Sequence, residues 1–222
     1  MVFRSRFDSQ MLSLNERLIE MAKTVKDAIS MTTQALIKKD ITLSKQVLEL
    51  EQNINEQEKD IESLCLKLLL HQNPVAKDLR MVSATLKMIT DMERIGDQAS
   101  DISDICLELS KQEYILTLNH FEKMGDIAIK MVNDSIEAFV DKDREKASNV
   151  LELDDKIDDL FNEIKDELYK LMITDTNNSR QALDLLMVAK YYERIGDHAE
   201  NIAEWVIFSI TGEQKGDIYS ER

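Results

Sequence analysis

Two copies of one pentapeptide supply the acidic residues of this sequence whose spacing suits cation binding. ERIGD occurs twice, one hundred positions apart, and provides Glu93 with Asp97 and Glu193 with Asp197. In an α-helix, residues four apart lie on the same face, so each copy would present two neighbouring carboxylates. Carboxylate oxygens are hard ligands that suit Mg²⁺, Ca²⁺, Mn²⁺ or iron. Each copy is therefore a candidate cation site.

Each acidic pair continues the apolar face of its predicted helix. The apolar residues before the first pair, Val82, Leu86 and Ile89, recur at intervals of three or four, and Glu93 and Gly96 extend the series. The second copy repeats this arrangement. A carboxylate at a position that faces the core is costly unless a cation neutralises it. The glycine predicts a neighbouring helix that approaches closely at this point.

A second helix in each half carries further acids that could complete these sites. Asp154 and Asp158 lie four residues apart in the second half, and Glu51 and Asn55 take the matching positions in the first. Cation sites in helical bundles are commonly built from inward carboxylates of facing helices. Since Asn55 contributes a neutral oxygen, we expect one site per half and tighter binding in the second half.

Arginines offer an alternative partner for the same acids. Arg94 and Arg194 lie within the ERIGD copies, and Arg80 and Arg180 lie three to four turns earlier. If they pair with the acids along and across the helices, the carboxylates are structural and the protein is a plain interaction bundle. A third alternative is a carboxylate-rich metalloenzyme or metal-storage bundle, although the Glu-x-x-His signature of di-iron bundles is missing.

Zinc and disulfide chemistry fit the sequence poorly. The two cysteines, Cys65 and Cys106, have neither metal-ligand spacing nor a disulfide pattern, and we interpret them as small core residues. The three histidines are scattered, and we interpret His198 as a surface or supporting residue because its counterpart is Gln98.

The chain is predicted to be all-α, built from two tandem three-helix bundles related by pseudo-symmetry. VLELE at 47–51 matches VLELD at 150–154, and the ERIGD copies extend the repeat. Residues 1–112 form the first unit, 113–211 the second, and 212–222 a frayed tail. Apolar spacing predicts helices at 7–38, 42–70, 76–110, 116–141, 144–173 and 179–210.

Composition excludes several functional classes. The formal net charge of −15, from 28 basic and 43 acidic residues, argues against a nucleic-acid partner. No stretch is apolar and long enough to be a signal peptide or to span a membrane, so we expect a cytoplasmic protein. Nucleotide-binding loops and nucleophile-base motifs are absent from the sequence, which predicts that the protein is not an enzyme.

The duplicated motifs resemble those of the PhoU family of phosphate-transport regulators. The resemblance rests on KDLRMVSATLKMITDMERIGDQASDI, on NSRQALDLLMVAKYYERIGDHAENIAEW and on the VLELD-type motif, and it covers essentially the whole chain. It implies a cytoplasmic negative regulator that contacts the ATPase of a phosphate ABC transporter and a sensor histidine kinase. It also implies metal binding by the E/D-xxx-D motifs, here Glu93, Asp97, Glu193 and Asp197, with Asp154 and Asp158 matching the second-helix acids.

Self-association is a further expectation. Family members are often dimers, and the apolar residues Trp205, Val206 and Phe208 near the end of the second unit exceed what one small bundle would bury. We therefore expect a homodimer.

Overall fold

Six long α-helices account for most of the chain. The structure is a computed structural model that describes residues 2–71 and 75–212, with the side chains of 2–6 and His71 left out of the description. Within these ranges it contains no β-strand, and a 3₁₀ turn, Thr176–Asn178, precedes the last helix. The helices are α1 (Val2–Lys38), α2 (Ile41–His71), α3 (Ala76–Leu109), α4 (Asn119–Asp141), α5 (Arg144–Thr174) and α6 (Ser179–Thr211). The predicted all-α fold is confirmed, and the largest shifts in helix ends are at the starts of α1 and α4.

The turn between the first and second helix is built in the same way in both repeats. Lys39 and Lys142 adopt the left-handed conformation, with φ of 56° and 57°, and each ends its helix. Asp40 then accepts hydrogen bonds from the backbone N–H groups of Thr42 and Leu43, and Asp143 accepts one from that of Lys146. These aspartates satisfy N–H groups that a helix start leaves without partners. The repeat thus preserves its turn chemistry as well as its helices.

The last connection uses a different cap from the one that its sequence suggests. Asn178, at the N-cap of α6, is of a residue type that favours capping, but it makes no side-chain capping bond. Asp175 caps the 3₁₀ turn instead, accepting the backbone N–H of Asn177 at 3.0 Å. The Asp175 carboxylate thus satisfies an N–H group at the start of the 3₁₀ turn and not one at the start of α6.

The two repeats pack against each other through their first and third helices. Within each repeat the three helices run up, down and up, and α3 contacts α6 more extensively than any other helix pair. Helix α1 also packs against α4, while α2 and α5 contact only helices of their own repeat among the main helix pairs. The buried apolar residues form one continuous core through both repeats. The two third helices therefore form the main contact between the repeats.

Matching hydrogen bonds join the first and third helices within each repeat. The Thr32 hydroxyl donates to the Ala99 carbonyl oxygen at 3.1 Å, and the Ser135 hydroxyl donates to the Ala199 carbonyl oxygen at 3.4 Å. Ser135 and Ala199 are the repeat counterparts of Thr32 and Ala99. The duplication therefore extends to buried side-chain hydrogen bonds.

Both cysteines are core residues, as predicted. Cys65 and Cys106 are buried and free, and burial raises the pKa of each thiol to about 12. Within residues 2–71 and 75–212, no helix is long and apolar enough to cross a bilayer. The predicted frayed tail lies outside the described residues apart from Gly212.

The apolar cluster that suggested self-association is only partly exposed. Val206 is fully buried in the core of its own chain, which corrects its assignment to a free surface. Trp205 and Phe208 are half-buried and pack edge-to-face, with ring centroids 5.8 Å apart. Within this cluster, only Trp205 and Phe208 thus keep part of their side-chain surface exposed.

Candidate functional site

The first ERIGD copy places its two acids around one arginine. The Glu93 side chain is 19% exposed and that of Asp97 is 30% exposed. Arg94 Nε lies 3.4 Å from Glu93 Oε2, and Arg94 Nη1 donates to Asp97 Oδ2 at 3.0 Å. Burial, with the nearby Asp97 carboxylate, raises the pKa of Glu93 even though Arg94 opposes the shift. In the structure, Arg94 is therefore the partner of both acids, as the arginine alternative predicted for Arg94.

The second ERIGD copy is neutralised differently. Glu193, with a side chain 14% exposed, forms an ion pair with Lys190, one turn earlier on α6. Lys190 also lies over the Phe161 ring, 5.5 Å from its centroid. Asp197 is exposed. Lys190 was not among the predicted partners, although its i, i+3 spacing from Glu193 on one helix could have indicated the pair.

Asp154 is the most strongly perturbed carboxyl group near the second pair. Burial, reinforced first by the Glu200 carboxylate and then by those of Asp158 and Asp197, raises its pKa to about 7. Its Oδ1 atom is buried and has no hydrogen-bond partner. Helix α5 comes this close because residue 196 is glycine: a Cβ there would lie 2.8 Å from Asp154 Oδ1. The glycine thus brings a protonatable carboxyl group against the ERIGD helix.

The first repeat has a weaker version of the same arrangement. Asn55 Nδ2 donates to Glu51 Oε1, and Asn55 Oδ1 is buried without a partner. A Cβ at Gly96 would lie 2.9 Å from Ile54 Cδ1, so α2 packs closely on α3 just as α5 packs on α6. Each repeat therefore has a partnerless buried oxygen on its second helix, but the positions differ: Asn55 corresponds to Asp158 and contributes a neutral amide, whereas Asp154 corresponds to Glu51.

The donor chemistry fits a hard cation, although the ligands are not preassembled. Among the described residues, no three carboxylate, histidine or cysteine side chains are arranged to hold a metal ion. Arg94 and Lys190 occupy positions where a cation would neutralise the glutamates. The partnerless Asp154 Oδ1 and Asn55 Oδ1 atoms are the feature that favours binding. Cation binding would require the glutamates to exchange their present partners for the metal.

The other predicted arginine partners lie elsewhere. Arg80 is next to Gly212, where an added Cβ would lie 3.6 Å from its Cδ atom, so it is at the C-terminal end of α6. Arg180 is near Glu108 at the end of α3; together with Lys111, the main cause, it lowers the pKa of Glu108. Cations are favourable at helix C-termini. Each repeat thus places an arginine against the end of the other repeat's third helix.

Polar side chains join α3 to α6, and these contacts were not predicted from the sequence. His198 Nδ1 lies 2.9 Å from Asp91 Oδ1, and Asn201 Nδ2 donates to the same oxygen at 3.4 Å. The counterpart contact is a hydrogen bond between the Tyr191 and Asp101 side chains. His198 is therefore a partly buried interface residue, which corrects its interpretation as a surface or supporting residue. The offset of 100 residues relates the two contacts. The sequence reveals this correspondence only when α3 and α6 are known to cross in antiparallel directions.

Comparison with protein families identifies one matching family model. The model described as the PhoU domain matches twice, over residues 18–106 and 121–206. Each matched range contains one ERIGD copy, and the gap between the ranges contains the α3–α4 connection.

Curated relatives match over most of the chain. A phosphate-specific transport system accessory protein PhoU homolog from Clostridium acetobutylicum is 34% identical, covering 95% of this chain and 97% of the relative. A homolog of the same name from Aquifex aeolicus is 37% identical over 81% of each. The accessory protein PhoU of Escherichia coli is 30% identical over 94% of this chain and 86% of its own.

Solved structures share the fold. The crystal structure of PhoU from Pseudomonas aeruginosa superposes with a TM-score of 0.90 at 31% identity, covering 93% of this chain and all of that one. The phosphate transport system regulatory protein PhoU from Streptococcus pneumoniae superposes with a TM-score of 0.85 at 27% identity, covering 93% and 98%.

Proposed function

The chain belongs to the PhoU family, and on that premise we propose that it is an accessory protein of a phosphate-specific transport system. In this role it restrains phosphate uptake and the phosphate-starvation response when phosphate is plentiful. The observation that supports this most directly is the family match in both repeats, each match including an ERIGD helix. Relatives with this name match the chain over nearly its whole length.

The proposed mechanism is binding rather than catalysis. The partners would be the ATPase of the phosphate ABC transporter and a sensor histidine kinase, both met on the cytoplasmic side. A regulator of this kind shifts an equilibrium only by binding one state of its partner more tightly than the other. Six packed helices with one continuous core support such a role, because they offer a stiff surface.

The acidic residues would add cation binding to this scaffold. In the second repeat, Glu193, Asp197, Asp154 and Asp158 would hold one hard cation, such as Mg²⁺, Ca²⁺, Mn²⁺ or iron. In the first repeat, Glu93 and Asp97 would do so with Glu51 and Asn55. A bound cation would offset the burial and the carboxylate repulsion that raise the Asp154 pKa, and it would tie α5 to α6. The second site would be the tighter one, since it has the larger negative charge.

The test of the regulatory role uses a strain that lacks the gene. We expect a phosphate-starvation reporter to stay on in rich phosphate, and reintroduction of the gene to silence it. Detergent-solubilised phosphate transporter should co-purify with the tagged protein when phosphate is abundant. A reporter that remains off in the deletion strain, together with the absence of transporter from the purified material, would exclude the proposal.

Self-association remains part of the proposed function. The half-buried pair Trp205 and Phe208 would lie in the contact of a homodimer. Light scattering at high concentration should give twice the chain mass, and Phe208→Glu should shift the protein to the monomer. A wild-type protein that is monomeric throughout would contradict this assignment.

A further inference from the structure

Helices α2, α3, α6 and α5 form a row in which α3 and α6 are the inner members. Each inner helix contacts a helix on either side, and α1 and α4, which also contact each other, cover one side of the row. Exposed side chains along α3 and α6 therefore lie on the side that no described helix covers, which we call the open face. Leu183 and Met187 of α6, 54% and 45% exposed, belong to it.

The second repeat has an apolar patch on the open face, where α5 meets α6. Lys190 follows Leu183 and Met187 at helical spacing, and its Nζ atom lies 5.5 Å from the centroid of the Phe161 ring of α5. Lys165 Nζ lies 5.5 Å from the same centroid, and the next turn of α5 carries a tyrosine that is 60% exposed. We call this surface patch A; it consists of Phe161, Lys165, Tyr169, Leu183, Met187 and Lys190.

The first repeat has polar side chains at most of the matching positions. We call the matching surface patch B; it consists of Glu58, Glu62, Leu66, Ser83, Lys87 and Thr90. The Thr90 hydroxyl donates to Glu58 Oε1 at 3.4 Å, just as Lys190 contacts Phe161, so the same two positions meet in both repeats. The helix packing therefore does not require apolar residues at these positions. Exposed apolar residues that the fold does not need indicate a contact surface.

The two patches are complementary in charge. Patch A has two cations and no anion, whereas patch B has two anions and one cation. Because Glu193 pairs with Lys190, Lys165 is the cation of patch A that remains for a partner. The residue at the position of Lys165 in patch B is Glu62, which is exposed. Opposite charges on two apposed surfaces favour their association and fix its register.

Trp205 extends patch B across the open face. Lys87 is exposed on the inner helix α3, and its Nζ atom lies 6.0 Å from the centroid of the Trp205 ring. Trp205 packs in turn on Phe208. These are the half-buried aromatic residues that the proposed homodimer contact contains. The surface that they meet on a second copy should be apolar, as patch A is.

The two repeats are related by a two-fold rotation, which allows such a contact to close. Asp91 of α3 meets Asn201 of α6, and at the matched positions Tyr191 of α6 meets Asp101 of α3. This reciprocity is the property of a two-fold contact. Since it places patches A and B on one face, a second two-fold axis can pair patch A of each copy with patch B of the other.

We propose that patch A of one copy docks on patch B of a second copy, with Lys165 against Glu62 and Met187 against Trp205. Both contacts form at the same time, so the assembly stops at a closed dimer and does not continue as a filament. The inference rests on the proposed self-association and identifies the surfaces that form it.

The first experiment exchanges the two charges and measures the dissociation constant by sedimentation equilibrium. Lys165→Glu and Glu62→Lys should each weaken the dimer by at least about tenfold, because each places like charges in both contacts. An equimolar mixture of the two variants should dimerise like the wild type, since each contact of the mixed dimer again joins a lysine to a glutamate. Failure of the mixture to restore the dimer would overturn the proposal. Lys23→Glu, at an exposed position of α1, controls for the change in net charge and should have no effect.

The second experiment removes an apolar side chain from patch A. Met187→Lys introduces the residue that patch B has at this position, and it should weaken the dimer by at least about tenfold. Leu12→Lys is the matched control, because Leu12 is 65% exposed on α1, on the other side of the row, and this change should leave the dimer unchanged. Circular dichroism melts would verify that both variants fold. Equal losses in the two variants, or no loss in Met187→Lys, would refute the assignment.

The outcomes separate this contact from the rest of the proposed function. A wild-type chain that stays monomeric at high concentration would exclude both self-association and this contact. A dimer that survives Met187→Lys and both charge variants would exclude this contact alone. The regulatory role is tested by the reporter strain, and that result depends on neither outcome.

Discussion

His198 and Asp91 join the third helices of the two repeats, with His198 Nδ1 2.9 Å from Asp91 Oδ1. Their side chains are 20% and 15% exposed, so the contact is well shielded from solvent. The counterpart of His198 in the first repeat is Gln98, which is buried. Duplication has therefore preserved the helix crossing while the polar contact on each side of it has diverged.

This contact should be measurable by a double-mutant cycle. His198→Gln introduces the residue found in the other repeat, and Asp91→Asn removes the carboxylate while preserving size. We expect a coupling free energy of about 0.5 to 1.5 kcal/mol between the two changes, from urea unfolding of the four proteins. Strictly additive losses would show that the two side chains do not stabilise each other.

Asp154 predicts an unusual dependence of stability on pH. Its pKa is raised from 3.8 to about 7, chiefly by burial. A carboxyl group with a higher pKa in the folded chain binds its proton more tightly there than in the unfolded chain. The free energy of unfolding therefore falls as the pH rises from the unfolded pKa to the folded pKa. The metal-free protein should therefore lose stability from about pH 4 to pH 7, by about 1 to 2 kcal/mol after allowance for solvent screening.

Asp154→Asn tests that cause, because asparagine keeps the size and cannot ionise. In chelator-treated samples, urea unfolding at pH 5 and pH 8 should give a smaller difference for the variant than for the wild type. The matched control is Glu51→Gln at the counterpart position. A variant with the same pH profile as the wild type would assign the effect to another group.

Two glycines should respond differently to alanine. A Cβ at Gly125 would lie 2.5 Å from Thr33 Oγ1, which donates to the Ile29 carbonyl oxygen and also bonds the Tyr192 hydroxyl. Thr33 cannot yield without losing these bonds, so Gly125→Ala should destabilise by about 1 to 3 kcal/mol. Thermal unfolding measures this change.

Gly96→Ala is the comparison for that prediction. There the new Cβ would meet the terminal methyl of Ile54, which can rotate away more easily. Alanine also favours the helix by about 1 kcal/mol, so we expect a net change of about 0.5 kcal/mol or less. If Gly96→Ala is the more damaging change, Ile54 cannot rotate away from the new Cβ as expected.

Cation binding should depend on the partner that Glu193 has in the absence of metal. Under the proposal, Mn²⁺ or Mg²⁺ raises the melting temperature, and Glu193→Gln with Asp197→Asn removes most of the rise. Lys190→Met should strengthen binding, because it releases Glu193 while retaining an apolar contact over the Phe161 ring.

The equivalent double change in the first repeat, Glu93→Gln with Asp97→Asn, should have a smaller effect. Elemental analysis that finds no metal after reconstitution would leave the acids as structural partners of Arg94 and Lys190.

The helices and the duplication were predictable from sequence because their signals are local. Apolar residues at intervals of three and four mark a helix wherever they occur, and a repeated ERIGD in the same context marks a repeated unit. The close approach at Gly96 and Gly196 was predictable for the same reason. Glu93 and Glu193 could also be selected, since each lies in an apolar series and is largely buried, whereas Asp158 and Asp197 are exposed.

Only the tertiary structure decided which side chains meet across helices. Asp91 meets His198 from the other repeat, whereas Glu193 and Lys190 lie three residues apart on one helix, a pair that the sequence could have indicated. Arg80 and Arg180 lie at the ends of third helices instead of beside the acids. Such contacts depend on the rotation and crossing point of helices a hundred residues apart, and the spacing of residues along one helix contains no information about either.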